Sequence, residues 1–357
     1  MAIATHRAHT QRNAVARWWR WSLARRRRVA QQKISRITLA TLPTPLEDGG
    51  ELASGSRLWV KRDDLTGLGV GGNKARKLEF LCGDAIQNGA KSLVTVGAAQ
   101  SNHCRMTAAA GARLGLPTHL VLSGKKPNRL EGNQLLSQMF GATLHHTGLA
   151  DTDWAGLEKF RAQLTQQLVD RGEMPHSIPI GGSTAIGAIG YALAFDEIIE
   201  QCSIQNFSAD AIVFTTSSGG THAGLVAGLV RARALDPLKR LPKIVGIGVA
   251  KGVALSSRSV TDLANETLAL LGETSRATQG DVTIDPNYMG SDYAVATQAA
   301  TDAAKWAAHR GAWVLDAVYS AKGFSGLLGL DAKNEFGSNA NVVFIHTGGL
   351  PSIFANH

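Results

Sequence analysis

The sequence predicts an α/β protein of two domains, each an open, twisted, mostly parallel sheet with flanking helices. Short aliphatic and β-branched runs alternate with stretches of helical apolar spacing, which marks βαβ units. Several of these runs end in glycine- and hydroxyl-rich turns that enter a helix at once, leaving backbone N–H groups free for an anion. The length, 357 residues, suffices for two cores or one large α/β unit.

Residues 58–62 (LWVKR) form the first strand pattern, followed by Asp63-Asp64 and a glycine-rich turn. From Lys77, Leu78, Leu81, Cys82 and Ile86 keep helical spacing up to Asn88-Gly89. Residues 92–96 read as a buried strand, 104–114 as a helix closed by Gly115, and 118–122 as the next strand. Helix over 134–140, strand over 143–145 and helix over 154–169 follow. A glycine-dense passage at 181–184 leads to a helix over 191–199; 211–215 is a clear strand, 223–234 a helix and 244–249 a strand. Two apolar runs, 312–315 and 342–346, complete the pattern. A smaller domain over 80–184 is expected, with a larger one combining 34–79 and 185–357.

Composition is ordinary for a globular chain, 44% hydrophobic and 18% charged, and no apolar run nears the ~20 residues of a membrane span. Cys82, Cys104 and Cys202 lie far apart without a CxxC pair. That argues against a metal site or a disulfide framework and points to a reducing, cytoplasmic compartment. The net charge is +9, yet residues 1–46 hold ten Lys or Arg and no acid, so the remainder sums to −1. The basic character belongs to a tail and implies no nucleic-acid binding by the body. Within it, residues 12–29 (RNAVARWWRWSLARRRRV) fit an organelle presequence, a surface-seeking amphipathic helix or an extension without function. Residues 1–33 are read here as a basic, disordered N-terminal extension.

Lys74 is set among Gly71, Gly72, Asn73, Arg76 and Lys77. A lysine becomes nucleophilic when its ammonium loses a proton, which desolvation and nearby cations favour. Arg76 and Lys77 are read as those cations and Lys74 as an amine prepared for a Schiff base. Taken alone, the stretch reads more simply as a solvated basic helix start, and other segments reverse that. Ser217, Ser218, Gly219, Gly220 and Thr221 lie between a strand and a helix, an anion site suited to phosphate. The 217–221 loop lacks a GK[ST] ending and does not match GxGxxG, so a single phosphate monoester fits it better than a dinucleotide; an ordinary tight turn is the alternative. Ser101 and Asn102 open another helix and can meet a carboxylate or ring hydroxyl there, or serve only as an N-cap. His103 and Cys104 diverge around that helix, which excludes a Cys–His nucleophile. An imine-forming lysine together with a phosphate loop implies one cofactor bearing an aldehyde and a phosphate. That is pyridoxal 5′-phosphate, an electron sink for carbanions.

The motifs VKRDDLTG, GGNKARKLEF, GAAQSNHCR, SSGGTHAGL, LDAVYSAKGFSGL and FIHTGG, in this order over residues 37–357, resemble the fold-type II pyridoxal phosphate family of D-cysteine desulfhydrase and 1-aminocyclopropane-1-carboxylate (ACC) deaminase. The resemblance implies a tryptophan synthase β-like fold, a small amino-acid substrate and a homodimer. By it, Lys74 holds the cofactor with Asn73 beside it, Asn102 contacts the ring hydroxyl and 217–221 takes the phosphate. Ser101 meets the substrate carboxylate or assists proton transfer, and Tyr293 and Tyr319 match the family's two tyrosines. Ring-opening members carry a glutamate after the second tyrosine, facing the pyridine nitrogen; here Ser320 stands there, and Thr347 is similar to the desulfhydrase partner of that nitrogen. A carboxylate deepens the electron sink, whereas loss of a good leaving group such as HS⁻ needs less. The desulfhydrase motif more usually reads DPVYTGK, and Ala317, Ser320 and Ala321 depart from it.

The expected reaction is therefore α,β-elimination of D-cysteine to pyruvate, hydrogen sulfide and ammonia. Lys74 or a nearby oxygen base takes the α-proton, and Tyr293 and Tyr319 position substrate and shuttle protons. A tyrosine acting as base near neutrality needs a lowered pKa; the alternative role for both is packing on the ring. ACC deamination and cysteate sulfo-lyase activity are the alternatives within the class, and a non-catalytic phosphate-binding protein of the same fold is the alternative outside it.

Overall fold

The computed structural model describes residues 34–250 and 257–355; the 1–33 extension lies outside them. In chain order the main elements are β1 (Leu46–Glu51), β2 (Arg57–Lys61), α1 (Lys74–Gln87), β3 (Ser92–Gly97), α2 (Asn102–Leu114), β4 (Thr118–Leu122), α3 (Gly132–Met139), β5 (Thr143–His146), α4 (Trp154–Asp170) and β6 (Pro175–Ser177). They continue with α5 (Ala185–Ile204), β7 (Ala211–Thr216), α6 (Gly220–Leu235), β8 (Lys243–Gly248), α7 (Ser257–Leu270), β9 (Thr283–Asp285), α8 (Gln298–Gly311), α9 (Ser320–Ala332) and β10 (Asn341–Ile345).

Two sheets result. Strands β5-β4-β3-β6 form a four-stranded, wholly parallel sheet. Strands β1-β2-β10-β7-β8-β9 form a six-stranded sheet, parallel except for the antiparallel β1–β2 pair. The central strands β3 and β7 are buried at every position, as strands covered by helices on both faces must be. Alternation along β7 sorts its side chains: Ile212 and Phe214 join Phe195 and Val226 of α5 and α6, while Val213 joins Ala303 and Phe324 of α8 and α9. In the smaller sheet Val94, Val96 and Val121 pack on Leu157, Leu164 and Leu168 of α4.

Helix α1 runs against α5 with almost no gap, since a Cβ on Gly190 would lie 2.2 Å from the Arg76 carbonyl oxygen. A buried ion network fixes the same contact. Arg76 donates to both oxygens of Asp63 at 2.8 Å and to Glu197 at 2.8 and 3.0 Å. Lys61 donates to Glu197 at 2.5 Å, and the Tyr191 hydroxyl to Asp63 at 2.6 Å.

Three expectations differ from what the structure holds. Residues 312–315 form no strand, Ala312 being left-handed at φ +52°; Trp313 and Leu315 are buried, Val314 is exposed, and the Trp313 indole N–H donates to Glu47 at 2.9 Å. Helix α1 starts at Lys74 rather than Lys77. Helices α7, α8 and α9 and strands β1, β6 and β9 were not expected: α8 buries only alanines, the buried face of α9 mixes polar and apolar residues, β1 carries two glycines, and β6 and β9 are three residues each.

Candidate active site

A cleft opens where β3, β7 and β10 end, the place at which parallel sheets present their ligand sites. It is lined by Asn73 and Lys74 at the start of α1, Ser101 and Asn102 before and at the start of α2, the turn after β7, Thr347 after β10, and Tyr293 and Tyr319. Of the residues singled out in the sequence, Gly220 lies at the base of the turn and Ser320 lies away from the lining.

The Lys74 amine is pushed down to about 8 by desolvation, with a hydrogen bond to Lys77 opposing. The two neighbouring cations act differently from what the sequence suggests. Arg76 is turned into its ion network and does not face Lys74. Lys77 is buried, and desolvation followed by the charge of Lys74 pushes its own amine well down. Its Nζ donates to the Gly181 carbonyl at 3.2 Å, and a Cβ on Gly220 would stand 2.8 Å from it. Lys77 thus borders the 217–221 turn, a placement legible in its i+3 spacing from Lys74.

That turn is shaped for an anion. Gly219 has φ +81° and, as the residue before α6, offers no side chain of its own to cap the helix. Ser183 Oγ donates to Ser218 Oγ at 2.8 Å and accepts from the Gly220 N–H at 3.2 Å. Thr221 Oγ1 accepts from Asn73 Nδ2 at 3.2 Å, which joins the turn to the lysine segment. Thr216 Oγ1, also lining the cleft, is buried without a hydrogen-bond partner among the described residues.

Ser101 caps α2, accepting from the Cys104 N–H at 3.2 Å, and lines the cleft. Asn102 Oδ1 accepts from Asn133 Nδ2 at 3.0 Å and from Arg105 at 3.3 Å, which turns its own NH₂ elsewhere. Arg105 and Asn133 are supports that the sequence reading missed. His103 is buried and kept neutral by desolvation and by Lys74 and Lys77. The Tyr293 and Tyr319 hydroxyls share one hydrogen bond, and Trp154 stands edge-on to Tyr293 with ring centroids 5.2 Å apart.

Burial pushes both tyrosine phenols up, so the lowered pKa that a base near neutrality would need is not met. One expectation is corrected here. Ser320 is fully buried, donating to Asp316 Oδ1 at 2.6 Å; it locks the turn before α9 instead of facing the cleft. No Asp or Glu is among the residues lining the cleft.

Residues 37–348 match the family described as pyridoxal-phosphate dependent enzyme. The chain belongs to that family. It is similar to D-cysteine desulfhydrases of Salmonella typhi and of Salmonella choleraesuis, each 35% identical across 91% of this chain and 97% of the relative. A crystal structure described as an ACC deaminase homologue is 35% identical with a TM-score of 0.79, covering 90% of this chain and 94% of that one. A threonine deaminase from T.th., 20% identical with a TM-score of 0.56 over 86% of this chain and 92% of that one, shares the fold alone. The fold is type II, and the cofactor is pyridoxal 5′-phosphate. The residues present suit it. The cleft offers one amine of lowered pKa, a helix start bordered by a second amine, and the Thr216 hydroxyl, unpartnered among the described residues.

Proposed function

We propose that this enzyme eliminates hydrogen sulfide from a small D-amino acid: D-cysteine and water give pyruvate, hydrogen sulfide and ammonia. The names and 35% identity of the desulfhydrase relatives support this. The observation that carries it against ACC deamination is the absence of any carboxylate from the cleft lining, with the Thr347 hydroxyl there instead. A ring nitrogen facing a neutral hydroxyl gives a shallower electron sink, enough to expel HS⁻ but poorly suited to breaking a carbon–carbon bond.

In this reading Lys74 holds the cofactor, the 217–221 turn with Lys77 receives its phosphate, Asn102 meets the ring hydroxyl and Thr347 the ring nitrogen. When bound, the cofactor stabilises negative charge at the substrate α-carbon. Lys74 Nζ, titrating about pH 8, takes the α-proton. Ser101 at the start of α2 receives the substrate carboxylate, where backbone N–H groups favour an anion. The paired phenols stay protonated, so Tyr319 or Tyr293 donates a proton to the departing sulfur. Released aminoacrylate hydrolyses to pyruvate and ammonia. The enzyme works as a homodimer in the cytoplasm, a setting in keeping with three free, buried cysteines; no helix among the described residues is long and apolar enough to cross a membrane.

The test is a panel of D- and L-cysteine, cysteate, D-serine, chloroalanine and ACC, read by keto-acid and sulfide release. Pyruvate and sulfide from D-cysteine with almost no 2-oxobutyrate from ACC is the expected result. Predominant 2-oxobutyrate would move the enzyme to the deaminase branch, and sulfite from cysteate to the sulfo-lyase. A colourless protein taking up no cofactor would refute catalysis altogether.

A further inference from the structure

We propose that Lys322 is a positioning residue whose buried ammonium clamps the 286–297 loop through two backbone carbonyls and so sets Tyr293 against Tyr319. The clamp deepens the reading above, since it matters to catalysis only if those phenols face the substrate.

Lys322 is fully buried; the Asp292 and Asp316 charges favour its ammonium, but among the described residues no carboxylate is its hydrogen-bonded partner. Its Nζ instead donates to the Met289 carbonyl at 2.6 Å and to the Asp292 carbonyl at 3.3 Å. A buried ammonium in no direct ion pair is costly even with the Asp292 and Asp316 charges acting on it from further off, so its retention calls for a role that an apolar side chain would not fill. Here the role is visible. Residues 286–297 contain no helix or strand, and the loop therefore has no ladder of its own to hold it. It also contains Gly290 at φ +82° and Ala294 at φ +60°, the second an unfavourable conformation for a residue with a Cβ, directly after Tyr293. A lysine tip carries three donors on a long stem and can reach such carbonyls from a neighbouring helix. Lys322 lies in the first turn of α9, and Tyr319 is the residue that precedes that helix. One helix end thus carries one phenol and holds the loop bearing the other, and the two hydroxyls meet.

The test compares the cofactor-loaded, full-length Lys322→Ala protein with the unaltered one by amide hydrogen exchange and by pyruvate release from D-cysteine. Exchange over 287–295 should quicken by about tenfold or more while 324–332 stays unchanged. The kcat should fall about 10- to 100-fold, with cofactor affinity and KM held within about twofold. Ammonium chloride should restore both readouts, and sodium chloride at equal ionic strength should not. Unchanged loop exchange overturns the clamp, as does a loss confined to cofactor affinity or a rescue that sodium matches. If D-cysteine proves not to be a substrate, exchange and its ammonium dependence still decide the clamp, while the panel above decides the activity. Should the alanine variant not fold, Lys322→Arg should keep the loop protected and Lys322→Met release it; equal exchange in the two overturns the assignment.

Discussion

A lysine amine held out of water costs folding free energy, and Lys74 bears that cost in the cofactor-free protein. Its pKa falls from 10.5 to about 8 through desolvation. Between those values the unfolded chain binds a proton that the folded chain lacks, so stability rises with pH across that window and is poorest below pH 8. Lys74→Met removes the burden. The cofactor-free variant should be more stable than the cofactor-free parent by about 1–3 kcal/mol at pH 7, with the gap closing towards pH 10.5. Urea denaturation at the two pH values checks this, and a variant less stable at pH 7 would show that the amine is well solvated. With cofactor added, the same variant should lack the visible absorbance of the bound form. The glycines and neighbours of Lys74 singled it out in the sequence, but what lowers its pKa was not legible there. Sequence proximity suggested Arg76, and the helix turns that side chain to Asp63 and Glu197 instead. Ser320 was misread for the same reason: adjacency to Tyr319 does not say which way a buried hydroxyl points.

Elements, rather than residues, make the proposed anion site, because its donors belong to the start of α6 and the turn before it. The two glycines there do different work. Gly219 has a left-handed φ and open space, its nearest neighbour being Val260 at 3.7 Å, whereas a Cβ on Gly220 would press on Ser183 Oγ at 2.7 Å and Lys77 Nζ at 2.8 Å. Gly220→Ala should therefore push the second amine from the turn and weaken pyridoxal phosphate binding by about tenfold or more. Fluorescence titration of the cofactor measures it, and unchanged affinity would place Lys77 outside the phosphate site. Strand-to-helix turns of this kind were readable because β7 is a continuous apolar run and the SSGGT turn follows it. Of the helices that went unseen, α8 buries Ala300, Ala303 and Ala307, whose spacing gives little apolar contrast, and α9 buries polar Ser320, Lys322, Ser325 and Asp331 beside Phe324 and Leu327, which blurs its apolar stripe; both pack near bulky β-strand residues such as Phe344 and Val213. The 312–315 run failed in the opposite sense, having strand alternation with no neighbour to pair with.

On the scale of the whole molecule, charge is unevenly distributed, +10 in residues 1–46 and −1 in the rest. The described contacts begin with Ile37 and Arg36 on the backbone and side chain of Glu79. Removal of residues 1–33 should accordingly leave kcat/KM for D-cysteine within about twofold, as measured on the truncated protein. What the molecule does depend on is the junction of α1 with the larger sheet, because α1 begins with Lys74 and runs towards the smaller one. Arg76 makes that junction, drawing together Thr44, Asp63 after β2 and Glu197 on α5. Burial pushes the Asp63 carboxyl up, yet the charge and hydrogen bonds of Arg76 outweigh this and bring it to about 2 from 3.8. Asp63 therefore stabilises the fold above pH 3.8 and loses that effect as pH falls towards 2. Arg76→Met leaves two carboxylates facing each other in the interior with only Lys61 between them, and should destabilise the protein by about 3–5 kcal/mol at pH 7. Without the guanidinium, the Asp63 pKa should rise above its ordinary value, so the variant should recover part of the deficit as pH falls from 7 to about 4.5 and the carboxyl takes up a proton. Urea denaturation of both proteins at the two pH values measures the gap. A deficit of equal size at both, or one under about 1 kcal/mol, would mean that α1 is held by the close helix packing at Gly190 rather than by charge.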